Sequence, residues 1–110
     1  MANTFKNKGA AATGTSEVSV YTAPSSTTTT IIGLTLSNVT DGTIKADVRL
    51  YDSSATAHYY IIKDAEIFTG GSLVIVGGDQ KVVLETGDKI KVTSDTASSI
   101  DTVISYMETT

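Results

Sequence analysis

The sequence predicts an all-β fold: an antiparallel β-sandwich, jelly-roll-like, of about eight strands with an extended N-terminal arm. Three observations carry that prediction. First, residues 43–51, TIKADVRLY, alternate strictly, with Ile44, Ala46, Val48 and Leu50 set against Lys45, Asp47, Arg49 and Tyr51. A two-residue period sends one set to a buried sheet face and the other to water. Second, similar runs recur about every 8–14 residues, punctuated by Gly, Asp, Ser and Thr. Third, no segment keeps a helical period over about ten residues.

Residues 1–16 read as an arm. They are rich in Gly, Ala, Asn and Thr, and Phe5 is the only large apolar side chain among them. Such a segment is expected to bury too little surface to order itself. It is either a frayed terminus or an arm that orders against a neighbouring subunit with Phe5 as anchor. The sandwich itself is expected over 17–110. Its first strand is EVSVYTA, Glu17–Ala23, ended by Pro24, which cannot donate to a ladder. The second spans about Thr29–Asn38, with Ile32, Leu34 and Leu36 inward and Gly33, Thr35 and Ser37 outward. Asp41-Gly42 is a turn dipeptide and predicts a hairpin into Thr43–Tyr51. Ala57–Lys63, apolar on both faces, comes next, followed by Ser72–Val76. Lys81–Glu85 and Lys89–Thr93, joined by Thr86-Gly87-Asp88, read as a second hairpin. Ser98–Glu108 is the last strand. It too is apolar on both faces, which suggests cover from beyond the domain's own core.

Composition narrows the function. At 110 residues the chain is one domain and buries roughly 65% of its unfolded surface. Ser and Thr exceed a quarter of it, which suits a pleated surface that is polar but weakly charged. The net charge of −4 and the scattered Lys and Arg argue against nucleic acid as a partner. Apolar runs of about four residues exclude a membrane-spanning helix. The first residues, with two lysines and no apolar stretch, are not expected to act as a secretory signal. Without Cys there is neither a disulfide nor a thiolate metal site, so packing or assembly must supply stability.

No catalytic constellation emerges. His58 is the single histidine, in a strand beside Tyr59 and Tyr60. Zinc needs several N or S ligands, so His58 reads as a surface or interface residue. Most carboxylates lie in turns, where they cap backbone amides. Gly70-Gly71 and Gly77-Gly78 are turn glycines, with no phosphate-loop pattern around them. No cofactor, metal or enzymatic activity is expected. The exposed-strand aromatics are the better candidates, because Tyr offers a large contact area at low entropic cost. Phe5, Tyr51, His58, Tyr59, Tyr60 and Tyr106 are the expected interface residues. Tyr51, on the outward side of the cleanest strand, leads them.

The order of segments resembles a known group. VYTAPSSTTTTIIGLTLSNVTDGTIKADVRLYD, YYIIKDAEIFTGGSLVIV, GGDQKVVLETGDKIKVTSD and a final strand ending in SYME follow a short arm. That order is similar to small β-sandwich virion structural proteins of tailed bacteriophages, of the marine and cyanobacterial type. LTLSN and KVVLETGDKIKV carry the most weight. The resemblance implies a non-enzymatic homo-oligomer made in the host cytoplasm and housed in the virion, bound to other virion proteins. One placement is a capsid decoration (cement) protein, a trimer that clamps the major capsid protein of the shell. Another is a neck, tail or baseplate component, a hexameric or dodecameric ring or a fibre dock. Outside that class, the alternative is a host-receptor or glycan-binding tip module, and the absence of Trp counts against it.

Overall fold

The computed structural model describes residues 2–110, which form nine strands and no helix. They are β1 (Asn3–Thr13), β2 (Val18–Thr22), β3 (Thr28–Asn38), β4 (Ile44–Asp52), β5 (Ala57–Ile67), β6 (Ser72–Val76), β7 (Val82–Leu84), β8 (Lys89–Ser94) and β9 (Ile100–Thr109). One sheet runs β1-β9-β3-β6, with β7 also on β3; the other runs β2-β8-β4-β5. All pairs are antiparallel.

The wiring is a ribbon folded at the β4–β5 hairpin. β3 pairs with β6 and β7, β2 with β8, and β1 with β9. Wrapping the ribbon lays β9 against β3 and β8 against β4, which is jelly-roll connectivity. β6 and β7 follow one another along β3, at Leu34–Ser37 and Thr29–Ile31 respectively. They act as one topological strand broken by residues 77–81; both were expected from the sequence, and the ninth strand is β1.

The core lies between the sheets. Ile31, Leu34 and Leu36 of β3 and Ile100 and Ile104 of β9 are fully buried, facing Val48, Ile90 and Val92 of the other sheet. The alternation behind the prediction is visible in β8, where Ile90 and Val92 are buried between half-exposed Lys89 and Lys91.

Four local expectations are corrected. β3 and β4 do not pair, although Asp41-Gly42 joins them; they lie in different sheets. β7 and β8 part in the same way across Thr86-Gly87-Asp88. A turn signal specifies a chain reversal, but partner choice is decided by which sheet buries the apolar side. Polar side chains fix both crossings. Asn38 Nδ2 donates to the carbonyls of Gly42 (2.7 Å) and Ile67 (2.9 Å). Buried Asp88 accepts from the amides of Ser53 and Glu85, both at 3.0 Å. Gly87, at φ +87°, occupies a conformation that disfavours a side chain. Third, a bulge between Ile31 and Gly33 puts Ile31 in the core and leaves Ile32 half-exposed. Fourth, most of residues 1–16 are not loose: Asn3–Thr13 is β1, an edge strand paired with β9 of the same chain. Main-chain hydrogen bonds order it without apolar burial, and composition does not reveal them.

Candidate functional site

The two sheets present outer faces of opposite character. On the five-stranded sheet, register aligns Phe5, Met107, Thr30 and Val83 in one row, and Gly9, Val103, Thr35 and Val74 in another. Phe5 is 73% exposed, Val74 65%, and Val83 and Val103 57% each. Asn7, Ser105 and Gly33 fill the row between them, where Phe5, Lys6, Asn7, Ile32, Ser105 and Tyr106 line a shallow hollow. Asp101, at the end of β9, is the one charged side chain in register on this face, and it accepts a hydrogen bond from the amide of Ala12. The face is therefore Thr- and Val-rich and carries little charge in its paired register, with Lys6 at the hollow and exposed Lys81 and Glu85 flanking Val83 at its border.

The outer face of the four-stranded sheet is cationic and aromatic. Its rows run Ser19, Lys91, Arg49, Tyr60 and Thr22, Lys89, Tyr51, His58. Lys89 and Lys91 stand 5.7 and 5.4 Å from the Tyr51 ring centre. Arg49 and Lys63 stand 5.8 and 5.2 Å from that of Tyr60. Such contacts are favourable, because a ring face carries partial negative charge. Arg49 holds Glu17 in a fork at 2.8 and 2.7 Å, with Lys91 at 3.8 Å. The Arg49 hydrogen bonds keep the Glu17 carboxyl below the usual carboxylate range. Partial desolvation, then Arg49 and Lys91, lower His58.

Beneath the first face lies a buried polar cluster. Glu108 is 8% exposed and accepts from Lys6 Nζ (2.8 Å) and Tyr21 Oη (2.6 Å). Tyr21 Oη also meets Thr29 Oγ1 at 2.8 Å, and its ring lies 4.4 Å from that of Tyr106. Burial, then the Glu108 hydrogen bond, raises the Tyr21 hydroxyl pKa strongly. The Lys6 and Tyr21 hydrogen bonds lower Glu108.

The predicted residues divide accordingly. Tyr51, His58 and Tyr60 come together on the charged face, with the Tyr51 and His58 rings 4.9 Å apart. Tyr59 is 54% exposed but sits in register with Leu50, out of that array. Phe5 lies on the opposite, uncharged face. Tyr106 is corrected: at 6% exposure it packs in the core and shows only an edge to the hollow beside Phe5. Val74, Val83, Val103 and Ile32 were missed as individual residues. The signal for Val103 was present, since the last strand is apolar on both sides. Among the described residues, no three His, Cys, Asp or Glu side chains gather as a metal site.

No protein-family model matches the chain, and no curated protein matches its sequence. Solved structures do match in shape. One, from work on Bacillus endospore appendages that form a family of disulfide-linked pili, superposes with a TM-score of 0.59 at 12% identity, covering 99% of this chain and 87% of that one. The virus-like particle of extra small virus of the giant freshwater prawn Macrobrachium rosenbergii gives 0.47 at 13% identity, over 98% and 79%. A pentameric capsid protein from metagenomic phage sequences gives 0.37 at 13% identity, over 94% and 60%. The appendage protein shares the fold.

Proposed function

We propose that this chain is a non-enzymatic structural subunit of a bacteriophage particle, specifically a capsid decoration protein. It lays the outer face of the five-stranded sheet on the assembled shell and turns the charged face to solvent. The carrying observation is the uncharged face itself. Phe5, Val74, Val83 and Val103 are exposed there in ordered rows, with Asp101 alone charged in register. Exposed apolar side chains gathered on one face mark a contact surface. The fold and the resemblance of the segment order to phage virion proteins support the same reading.

The mechanism is passive. A protein that binds the assembled shell and not its dissociated subunits stabilises the shell by mass action. The partner is the major capsid protein, and a trimer is the expected assembly. The second reading is a neck or tail ring, favoured by the open edges of β1 and β5. Copy number in purified particles separates the two. Hundreds of copies support decoration, whereas a single ring's worth contradicts it. Binding of the isolated protein to a glycan array would instead favour a host-recognition tip.

A further inference from the structure

β1 is the least buried of the long strands. Of its eleven residues, Thr13 alone is buried and Ala10 half-buried. Thr4, Lys6 and Lys8, in register with Glu108, Tyr106 and Ile104, occupy its inward side. β1 therefore adds almost no apolar burial, and its attachment is the ladder to β9 plus a few polar contacts. The ladder breaks between Ala10 and Thr13. Within the break Ala12 sits at φ +54°, the left-handed region that sterics disfavour for alanine.

Past the break the chain is anchored. Ser99 N donates to Thr13 O at 3.0 Å and Ser94 N to Gly14 O at 2.9 Å. A Cβ on Gly14 would lie 3.2 Å from Ser98 N, so that turn is packed closely against its neighbour. A weakly buried strand thus hangs from a fixed root by a strained hinge.

We propose that β1 exchanges between copies of this chain: residues 3–10 leave their own β9 and take the same register on the β9 of a second copy. The identity of the occupant follows from the ladder. The vacated β9 edge matches this strand residue by residue, from Asn3 opposite Thr109 to Ala10 opposite Thr102. The Lys6–Glu108 pair and the Asn3–Thr109 side-chain bond (2.9 Å) re-form between chains. Opening the hinge also frees Ala12 from its left-handed conformation. Eight extended residues cover about 27 Å of the second copy's β9, and the break at residues 11–12 bridges the two copies, so the second β9 edge lies beside the first. The uncharged face survives the exchange, with Phe5 supplied by the second copy. Exchange links subunits without cysteine and holds for any assembly of this chain, on a shell or in a ring.

The natural absence of Cys makes the test clean. Asn7 and Ser105 are register partners, and such pairs lie within disulfide range. The Asn7→Cys/Ser105→Cys variant, oxidised over a concentration series, should give chain-to-chain links on a non-reducing gel. Co-refolded Asn7→Cys and Ser105→Cys single variants should give the mixed dimer. Links confined within one chain at every concentration would overturn the exchange, as would equal dimer from Asn7→Cys alone. The hinge gives a second readout. Ala12→Gly, which tolerates φ +54°, should weaken self-association about ten-fold per copy, and Ala12→Pro should strengthen it. No change in self-association with either variant would also overturn it.

Discussion

The two outer faces of this small jelly roll are built from the same kind of strand and differ in what their outward positions carry. On β4 and β8 the outward register holds Lys89, Lys91, Arg49 and Tyr51. On β9 and β3 it holds Val103, Ser105, Thr30 and Thr35. The core alternation is alike on both, so folding does not require the difference. A charged face keeps a sheet soluble and discourages unwanted association, while an uncharged one gives that protection up. The contrast makes the uncharged face the proposed contact surface and the charged face the proposed solvent side.

The largest effect belongs to the layer under the uncharged face. Tyr106→Ala should lose about 3–5 kcal/mol of stability, as for other buried aromatics, read as a lowered denaturation midpoint. Tyr51→Ala should shift it by less than about 1 kcal/mol, because Tyr51 lies on an outer face. Equal shifts would erase the distinction between inner and outer tyrosines. Next, Val74→Lys/Val103→Lys should weaken binding to purified shells about a hundred-fold, by forcing two charges into an apolar contact, with folding intact. Lys89→Glu/Lys91→Glu should bind as the parent does. The reverse ranking would assign contact to the charged face.

A smaller effect concerns acid. Glu108 titrates below its unfolded value, held there by Lys6 and Tyr21. Its contribution is therefore complete above the ordinary carboxylate range and is lost as pH falls through the lowered native value. Glu108→Gln should cost about 1–2 kcal/mol at neutral pH and flatten the acid limb of a melting-temperature profile. A parallel, undiminished acid limb would show that other carboxylates govern it. The smallest effect is on the charged face itself. Arg49→Ala breaks the exposed fork to Glu17 and should cost about 0.2–1 kcal/mol, shrinking with added salt.

Much of this molecule was legible in its residues. All eight expected strands, found as β2–β9, and the sandwich class follow from period-two alternation and turn residues. β1 escaped because a strand that buries nothing leaves no hydrophobic pattern; only its pairing with β9 defines it. The β3–β4 and β7–β8 hairpins failed because Asp41-Gly42 and Gly87-Asp88 report a reversal and not a destination. Ile32 was misplaced by a single bulge, which reverses the facing of residues around it. Tyr51 on an outer face was readable from TIKADVRLY, and so was the wet character of Lys45, Asp47 and Arg49. The dry face was not readable residue by residue. It is assembled from five strands spread along the chain, each contributing one or two apolar side chains.

Thiol protection tests the central claim most directly. In a chain without native cysteine, Val103→Cys and Lys91→Cys each place one reactive group on one face. Purified particles carrying either variant would be treated with a maleimide and compared with the free protein. The expected result is strong protection at position 103 on the particle and full reactivity at position 91. Protection at 91 with free reaction at 103, or equal reaction at both, would contradict docking through the uncharged face.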